Sequence, residues 1–215
     1  MSSLRKVFVC LVVLGSCVAL SSVGHAYTVS HCVSVPLSST NWNTTLSIPK
    51  FTGDCECLQS ISFQLCGHVE GSAKFESMDA SATTVMMNLQ STITLSRPDM
   101  STLVVTIPLA NTSDYVTAFD GVIDFGGTSG KTYAALAGDD VDSFVSTSPS
   151  DFALFCGTGN INLPISALGT SNGSGAGNLI LQFTTSASAN ATVTYTYDCG
   201  TPVQDSTWGR IKGLF

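Results

Sequence analysis

Val85-Met86-Met87-Asn88-Leu89-Gln90-Ser91-Thr92-Ile93-Thr94-Leu95-Ser96 decides the fold. Val85, Met87, Leu89, Ile93 and Leu95 share one parity, and Met86, Asn88, Gln90, Thr92, Thr94 and Ser96 the other. Alternation with period two marks a strand with one buried and one solvated face. Arg97-Pro98-Asp99 interrupts it as a turn, in which Pro98 pre-sets φ and Asp99 can bond to its own backbone. The pattern resumes with Leu103, Val105, Ile107 and Leu109 expected on one face. The stretch predicts a β-hairpin, which is scaffold rather than chemistry.

The flanking sequence extends this reading. Tyr27 to Leu37 and Thr44 to Phe51 read as strands, joined through a tight Gly53-Asp54-Cys55-Glu56-Cys57 connector to a long one. In that long strand Ile61, Phe63, Leu65, Val69, Ala73 and Phe75 share a parity, and Gly67 and Gly71 mark a bulge or bend. Tyr115 to Phe125 is expected to be a strand pair around Asp120-Gly121. Residues 126–150 read as loops with one short strand. Phe152 to Phe155 and Ile161 to Ile165 read as short strands. Ser171 to Gly177 is a Gly-rich surface loop, and Leu179 to Phe183 and Ala187 to Tyr197 are the last strands. Glu is scarce and Thr, Ser, Val and Gly abundant, which favours pleated over helical backbone. The fold class is all-β, a single-domain two-sheet antiparallel β-sandwich. No fixed-period repeat argues for a solenoid or propeller.

The 215 residues open on a secretory pattern. Arg5 and Lys6 precede an apolar core from Val7 to Leu20, and Gly24-His25-Ala26 places small residues before a cut at Tyr27. Leu14-Gly15-Ser16-Cys17 resembles a lipobox and offers lipid anchoring at Cys17 as the alternative. The apolar core is short for a membrane span. The expected organisation is a signal peptide over 1–26, the domain over 27–199 and a tail over 200–215. Beyond Ala26 stand six basic and fifteen acidic side chains, a formal charge of −9. That balance leaves nucleic-acid binding without an electrostatic footing. The partner left open is an extracellular one or a glycan.

Six cysteines follow Ala26, namely Cys32, Cys55, Cys57, Cys66, Cys156 and Cys199, enough for up to three disulfides in fifteen connectivities. Zinc held by Cys55, Glu56, Cys57, Cys66 and His68 is the weaker reading in an oxidising compartment.

Other candidate chemistry is thin, and no cofactor is expected. Gly126-Gly127-Thr128-Ser129-Gly130-Lys131-Thr132 lacks the first glycine of a phosphate loop, a place Phe125 takes. Asp139, Asp140 and Asp142, with Asp120 and Asp124 upstream, offer hard oxygens for calcium without EF-hand spacing. A hydrolase needs two carboxylates at a set separation, and no recognisable Asp/Glu pair supplies them. His31 and His68 have no Gly-x-Ser-x-Gly partner. Trp42 and Trp208 are candidates for stacking on sugars, with packing the simpler role for Trp42. Asn43, Asn111, Asn172 and Asn190 open Asn-x-Ser/Thr sequons.

Several segments together resemble the choice-of-anchor E domain. They are Val35-Pro36 with Thr40-Asn41-Trp42, residues 91–99, 102–108 and 118–130, Ala153 to Asn160, Gly177 to Ile180 and Thr192 to Tyr197. The resemblance runs in order from about Tyr27 to Tyr197. It implies an exported surface or secreted protein of undefined biochemical role, with no catalytic residues to carry over. Two departures stand out, the mature cysteines (as at Cys156) and a C-terminus, Thr207 to Phe215, without a second apolar span or sorting motif. The expected function is therefore a secreted, non-enzymatic structural or adhesive domain, with a carbohydrate-binding module as the alternative and a carboxylate-dependent hydrolase behind it.

Overall fold

The structure, a computed structural model, describes residues 26–200. The expected signal peptide before Ala26, Cys17, Trp208 and the rest of the tail lie outside the described residues. Ten strands form two antiparallel sheets, as the alternation requires. The first sheet has the order β1 (Tyr27–Ser39), β10 (Leu179–Tyr197), β3 (Leu58–Ser77) and β7 (Gly130–Ser146). The second has the order β2 (Trp42–Pro49), β8 (Asn160–Gly169), β4 (Thr83–Ser96) and β5 (Thr102–Thr106). β6 (Leu109–Val116) and β9 (Asn172–Ser174) flank the N-terminal half of β4. A 3₁₀ turn, Cys55–Cys57, precedes β3, and one helix, α1 (Pro149–Phe155), follows β7.

The core is built from the parity read in the sequence. Val85, Met87, Leu89, Ile93 and Leu95 of β4 are fully buried, as are Ile61, Phe63, Leu65, Val69, Ala73 and Phe75 of β3. Two apolar clusters result. A larger one surrounds Phe63, Phe155 and Tyr195, and a smaller one surrounds Phe75, Val85 and Met87. Two polar bonds tie β10 to β2 across the layers: Tyr195 Oη donates to the Pro49 carbonyl at 2.9 Å, and Trp42 Nε1 to the Ala187 carbonyl at 3.1 Å. The Arg97 turn forms as expected, with Asp99 Oδ1 accepting from the Ser101 amide at 2.9 Å.

Five local expectations are corrected. Leu95 pairs with Val104 but Ser96 with Thr102, so Leu103 is an extra residue and the phase flips. Val104 and Thr106 are buried, while Ile107 and Leu109 are exposed. The stretch from Tyr115 to Phe125 is the end of β6 and then a loop, because carboxylates satisfy its backbone amides in place of a ladder. Asp120 accepts from Val122 and Thr128, Asp124 from Gly126, and Glu76 from Phe125. Residues 130–146, expected to be mostly loop, form the 17-residue strand β7. As an edge strand its residues are exposed or half-buried at nearly every position, so no apolar alternation was required of it.

The fourth correction is Phe152 to Phe155, which is helical. Pro149 opens the first turn, and Phe155 is swung fully into the core. Asp151 of that helix receives a fork from Arg97, Nε to Oδ1 at 2.7 Å and Nη2 to Oδ2 at 2.9 Å. Last, Leu179 to Tyr197 is one strand, and the Gly-rich segment before it contains β9, paired with Met86 to Asn88. The bulge expected in β3 appears in its pairing with β7, between Gly71 and Ala73, with the extra residue on β7. A Cβ at Gly71 would run into the Thr184 carbonyl of β10.

Four cysteines form two disulfides at one end of the sandwich, Cys55–Cys156 and Cys57–Cys199, closing separations of 101 and 142 residues. Cys32 is exposed on β1, and Cys66 is half-buried on β3.

Candidate functional site

Alternation along β10 turns Ala187, Ala189, Ala191, Val193 and Tyr195 inward and Thr192, Thr194 and Thr196 outward. Register then aligns hydroxyls in rows across three strands. Thr28, Thr196 and Ser60 form one row, and Ser30, Thr194 and Ser62 the next. Ser30 Oγ and Thr194 Oγ1 share a hydrogen bond of 2.8 Å. This end of the first sheet's outer surface, where β1, β10 and the start of β3 lie side by side, is thus dense in small hydroxyl groups.

Further along the same face stands a charged row. His68 Nδ1 lies 2.7 Å from Asp139 Oδ1 on β7, and its Nε2 lies 3.5 Å from Glu70 Oε2. Ser188 is the cross-strand neighbour of His68 on β10. The His68–Asp139 contact joins β3 to β7 across the outer face.

The candidate calcium ligands are separated by their strand. Asp139 projects outward, while Asp140 and Asp142 take the opposite parity. Asp140 Oδ2 accepts from the Ile107 amide at 2.7 Å and Asp142 Oδ1 from the Ser143 amide at 2.7 Å. Asp120 and Asp124 spend their oxygens on the loop, and backbone amides of Val122 and Thr128 hold the Asp120 carboxyl below its usual range. Among the described residues no three His, Cys, Asp or Glu side chains converge on a metal position. The zinc reading is overturned, because Cys55 and Cys57 are in disulfides with different partners. Gly126 to Thr132 closes a loop and enters β7, a context without the helix that a phosphate loop needs.

Two open hollows lie among the described residues. One, of roughly 330 Å³, is lined by Asn43, Thr45, Thr94, Pro164 and Ser166 on the second sheet. The other, of roughly 450 Å³, is lined by Ser39, Asn41, Ser171, Thr184 and Ser186 near the β1–β2 connection. The second is walled mainly by hydroxyl and amide groups, whereas Met100 and Ile165 make the wall of the first as apolar as it is polar. Trp42 packs its half-buried ring against the core, and its N–H is taken by the Ala187 carbonyl. A different aromatic pair is accessible: Tyr27 is 55% exposed, with its ring 5.8 Å from that of Tyr197. All four sequon asparagines are exposed, on β2, β6, β9 and β10.

Sequence reasoning missed two polar features. Glu76 is fully buried, accepting from Ser129 Oγ at 2.6 Å and from the Phe125 amide at 2.8 Å. Its faint signal was a carboxylate beside Phe75 near the end of a strand. The Arg97–Asp151 fork joins residues 54 apart and had no local signature. That fork holds the Asp151 carboxyl below its usual range and raises Arg97 in return.

No family model matches the chain. No curated protein matches it either. Among solved structures it is similar to a chain in the structure of infectious bursal disease virus Gx strain, at 12% identity and a TM-score of 0.18, covering 86% of this chain and 43% of that one. A second is the infectious bursal disease virus VP2 subviral particle, at 15% identity and a TM-score of 0.17, covering 84% of this chain and 38% of that one. This chain thus spans about two-fifths of the length of those chains. At such TM-scores the likeness carries no argument.

Proposed function

We propose that this chain is an exported, non-enzymatic structural or adhesive β-sandwich domain. The observation that carries the reading is the row of hydroxyls that register sets across β1, β10 and the start of β3. It presents neutral hydrogen-bonding groups at the fixed spacings of a sheet, which suits contact with an extended polar surface. Three further points support it: the secretory pattern ending at Ala26, the resemblance to the choice-of-anchor E domain, and two disulfides, bonds that persist in oxidising compartments. No helix among the described residues is long and apolar enough to cross a membrane.

Export is tested by sequencing the N-terminus of protein released from intact cells, with Tyr27 the expected first residue. Full-length protein retained inside the cell sinks that part of the reading. Adhesion is tested by comparing wild type with a T192V/T194V/T196V variant on immobilised matrix proteins and polysaccharides. Equal retention of both on every surface sinks the other part. The accessible Tyr27–Tyr197 pair favours a second reading, a glycan-binding face. Selective, saturable binding on a glycan array, lost in Tyr27→Ala, would establish it.

A further inference from the structure

The two edges of the first sheet are treated differently. β7 is closed off: its Asp140 accepts from the Ile107 amide, its Lys131 pairs with Asp114, and its Gly138 lies so near the Leu109 carbonyl that a Cβ would not fit. Charge along β7, at Lys131, Asp139, Asp140 and Asp142, further discourages another strand. β1 has none of this. It runs for 13 residues, pairs among the described residues with β10 alone, and contains no Asp, Glu, Lys or Arg. Residues 26–200 carry fourteen acidic side chains against four basic ones, so copies of this chain repel each other over most of their surface. β1 is a long neutral strip on that surface. Tyr27, Val29 and Leu37 leave apolar side chains exposed along it, and near its midpoint stands the exposed thiol of Cys32.

We propose that β1 pairs antiparallel with β1 of a second copy, in a register centred on Cys32, and that the two Cys32 thiols close an intermolecular disulfide. In this register Cys32 meets Cys32, with His31 opposite the partner's Val33 on either side. Ser30 lies opposite the partner's Ser34 on the hydroxyl face, and Val29 opposite the partner's Val35 on the apolar one. Facing residues of an antiparallel pair have Cα atoms about 4.5–5.5 Å apart, within the range a disulfide spans. The pairing stops near Pro36, which has no N–H to give and adjoins the register shift between Val35 and Ser38. Both sandwiches then share one continuous eight-stranded sheet. The oxidant is a low-molecular-weight disulfide. One Cys32 thiolate attacks it and expels a thiolate, and the partner's Cys32 thiolate attacks the mixed disulfide and expels the second. Two cysteine thiols are oxidised, one small disulfide is reduced to two thiols, and the two protons pass to the expelled thiolates. The inference stands on the geometry of β1 and is independent of what the domain adheres to.

The test uses the folded chain with oxidised glutathione, light scattering after size exclusion, and non-reducing electrophoresis with peptide mapping. Doubled mass, with a Cys32–Cys32 peptide lost on reduction, is the expected result. Cys32→Ser removes the covalent band and leaves a concentration-dependent dimer, whereas Ser34→Lys weakens that dimer by tenfold or more. Both positions are exposed, and an unchanged circular dichroism spectrum controls for folding. A protein that stays monomeric at about 1 mM and carries only glutathione on Cys32 overturns the proposal. So does a crosslink mapped to another cysteine, or a monomer whose β1 amides resist hydrogen exchange because residues 201–215 occupy the edge.

Discussion

The long strand β3 connects two ends of the molecule that are secured by different chemistry. At its start, Cys55–Cys156 and Cys57–Cys199 bind the 3₁₀ turn to α1 and to the end of β10, beside the larger apolar cluster. At its finish the smaller cluster is closed by carboxylates. Glu76 and Asp120 hold the loop between β6 and β7, and Asp79 accepts from the Gly177 and Asn178 amides at 2.7 and 2.8 Å. A covalent staple is indifferent to acid and yields to reductant. A carboxylate accepting backbone amides has the reverse susceptibility. One sandwich therefore has two independent weak points, each answering to a different solution variable.

The largest expected effect breaks the stapled end. The variant C55A/C156A removes a link across 101 residues, and loss of such a link lowers unfolding free energy by about 2–5 kcal/mol. Urea denaturation measures the loss, and amide exchange in the loop between β6 and β7 should remain at the wild-type rate. Next, E76A orphans the Phe125 amide and the Ser129 hydroxyl in a buried setting, at about 2–3 kcal/mol. Here the pattern inverts, with fast exchange over residues 117–129 and an unaltered stapled end.

Acid sharpens the contrast without mutation. Backbone amides hold the Asp79 and Asp120 carboxyls below their usual range, from Gly177 and Asn178 in one case and from Val122 and Thr128 in the other. Depressed folded values mean that this stability is complete above the unfolded carboxylate pKa of about 4 and is lost as pH falls through the folded values. Exchange between pH 5 and pH 2 should therefore rise first around residues 117–129 and 177–178. Asp151 is depressed likewise by Arg97, but it stands beside the staples, so protonating it loosens the α1 contact without opening that end. Simultaneous loosening at both ends would refute the division. The smallest effect lies between them. The Thr106 hydroxyl is buried without a partner among the described residues, and T106V should raise stability by about 1 kcal/mol without favouring either end, as thermal unfolding with local exchange can show. Burial pushes the Tyr195 phenol up to about 12, so the hydroxyl that donates to Pro49 does not titrate anywhere in this acid range.

What could be read in the residues was what a buried face enforces. Val85 through Leu95, Ile61 through Phe75 and Ala189 through Tyr195 each have one side pressed into a core, and their parity showed it. The reading failed where that pressure was missing or a local event reset the count. β7 packs too little apolar surface to show a period, and Leu103, a single extra residue, inverted everything from Val104 onward. In α1, Phe155 alone reaches full burial in the core, too little to display a helical period, although Pro149 marked its start. The candidate site followed the same division. The outward threonines of β10 came from parity, whereas the His68–Asp139 contact and the Arg97–Asp151 fork depend on which distant strands become neighbours.

The register that sets Tyr27 opposite Tyr197 has a mechanical meaning. Tension applied between those two positions acts at one end of the β1–β10 ladder and perpendicular to it. The hydrogen bonds are then loaded one rung at a time rather than in parallel shear. β1 peels away like a zip fastener, and the Cys57–Cys199 bond passes the load from the end of β10 to β3. Under such a load β1, the edge strand of its sheet, would be the first to separate from the sandwich behind it.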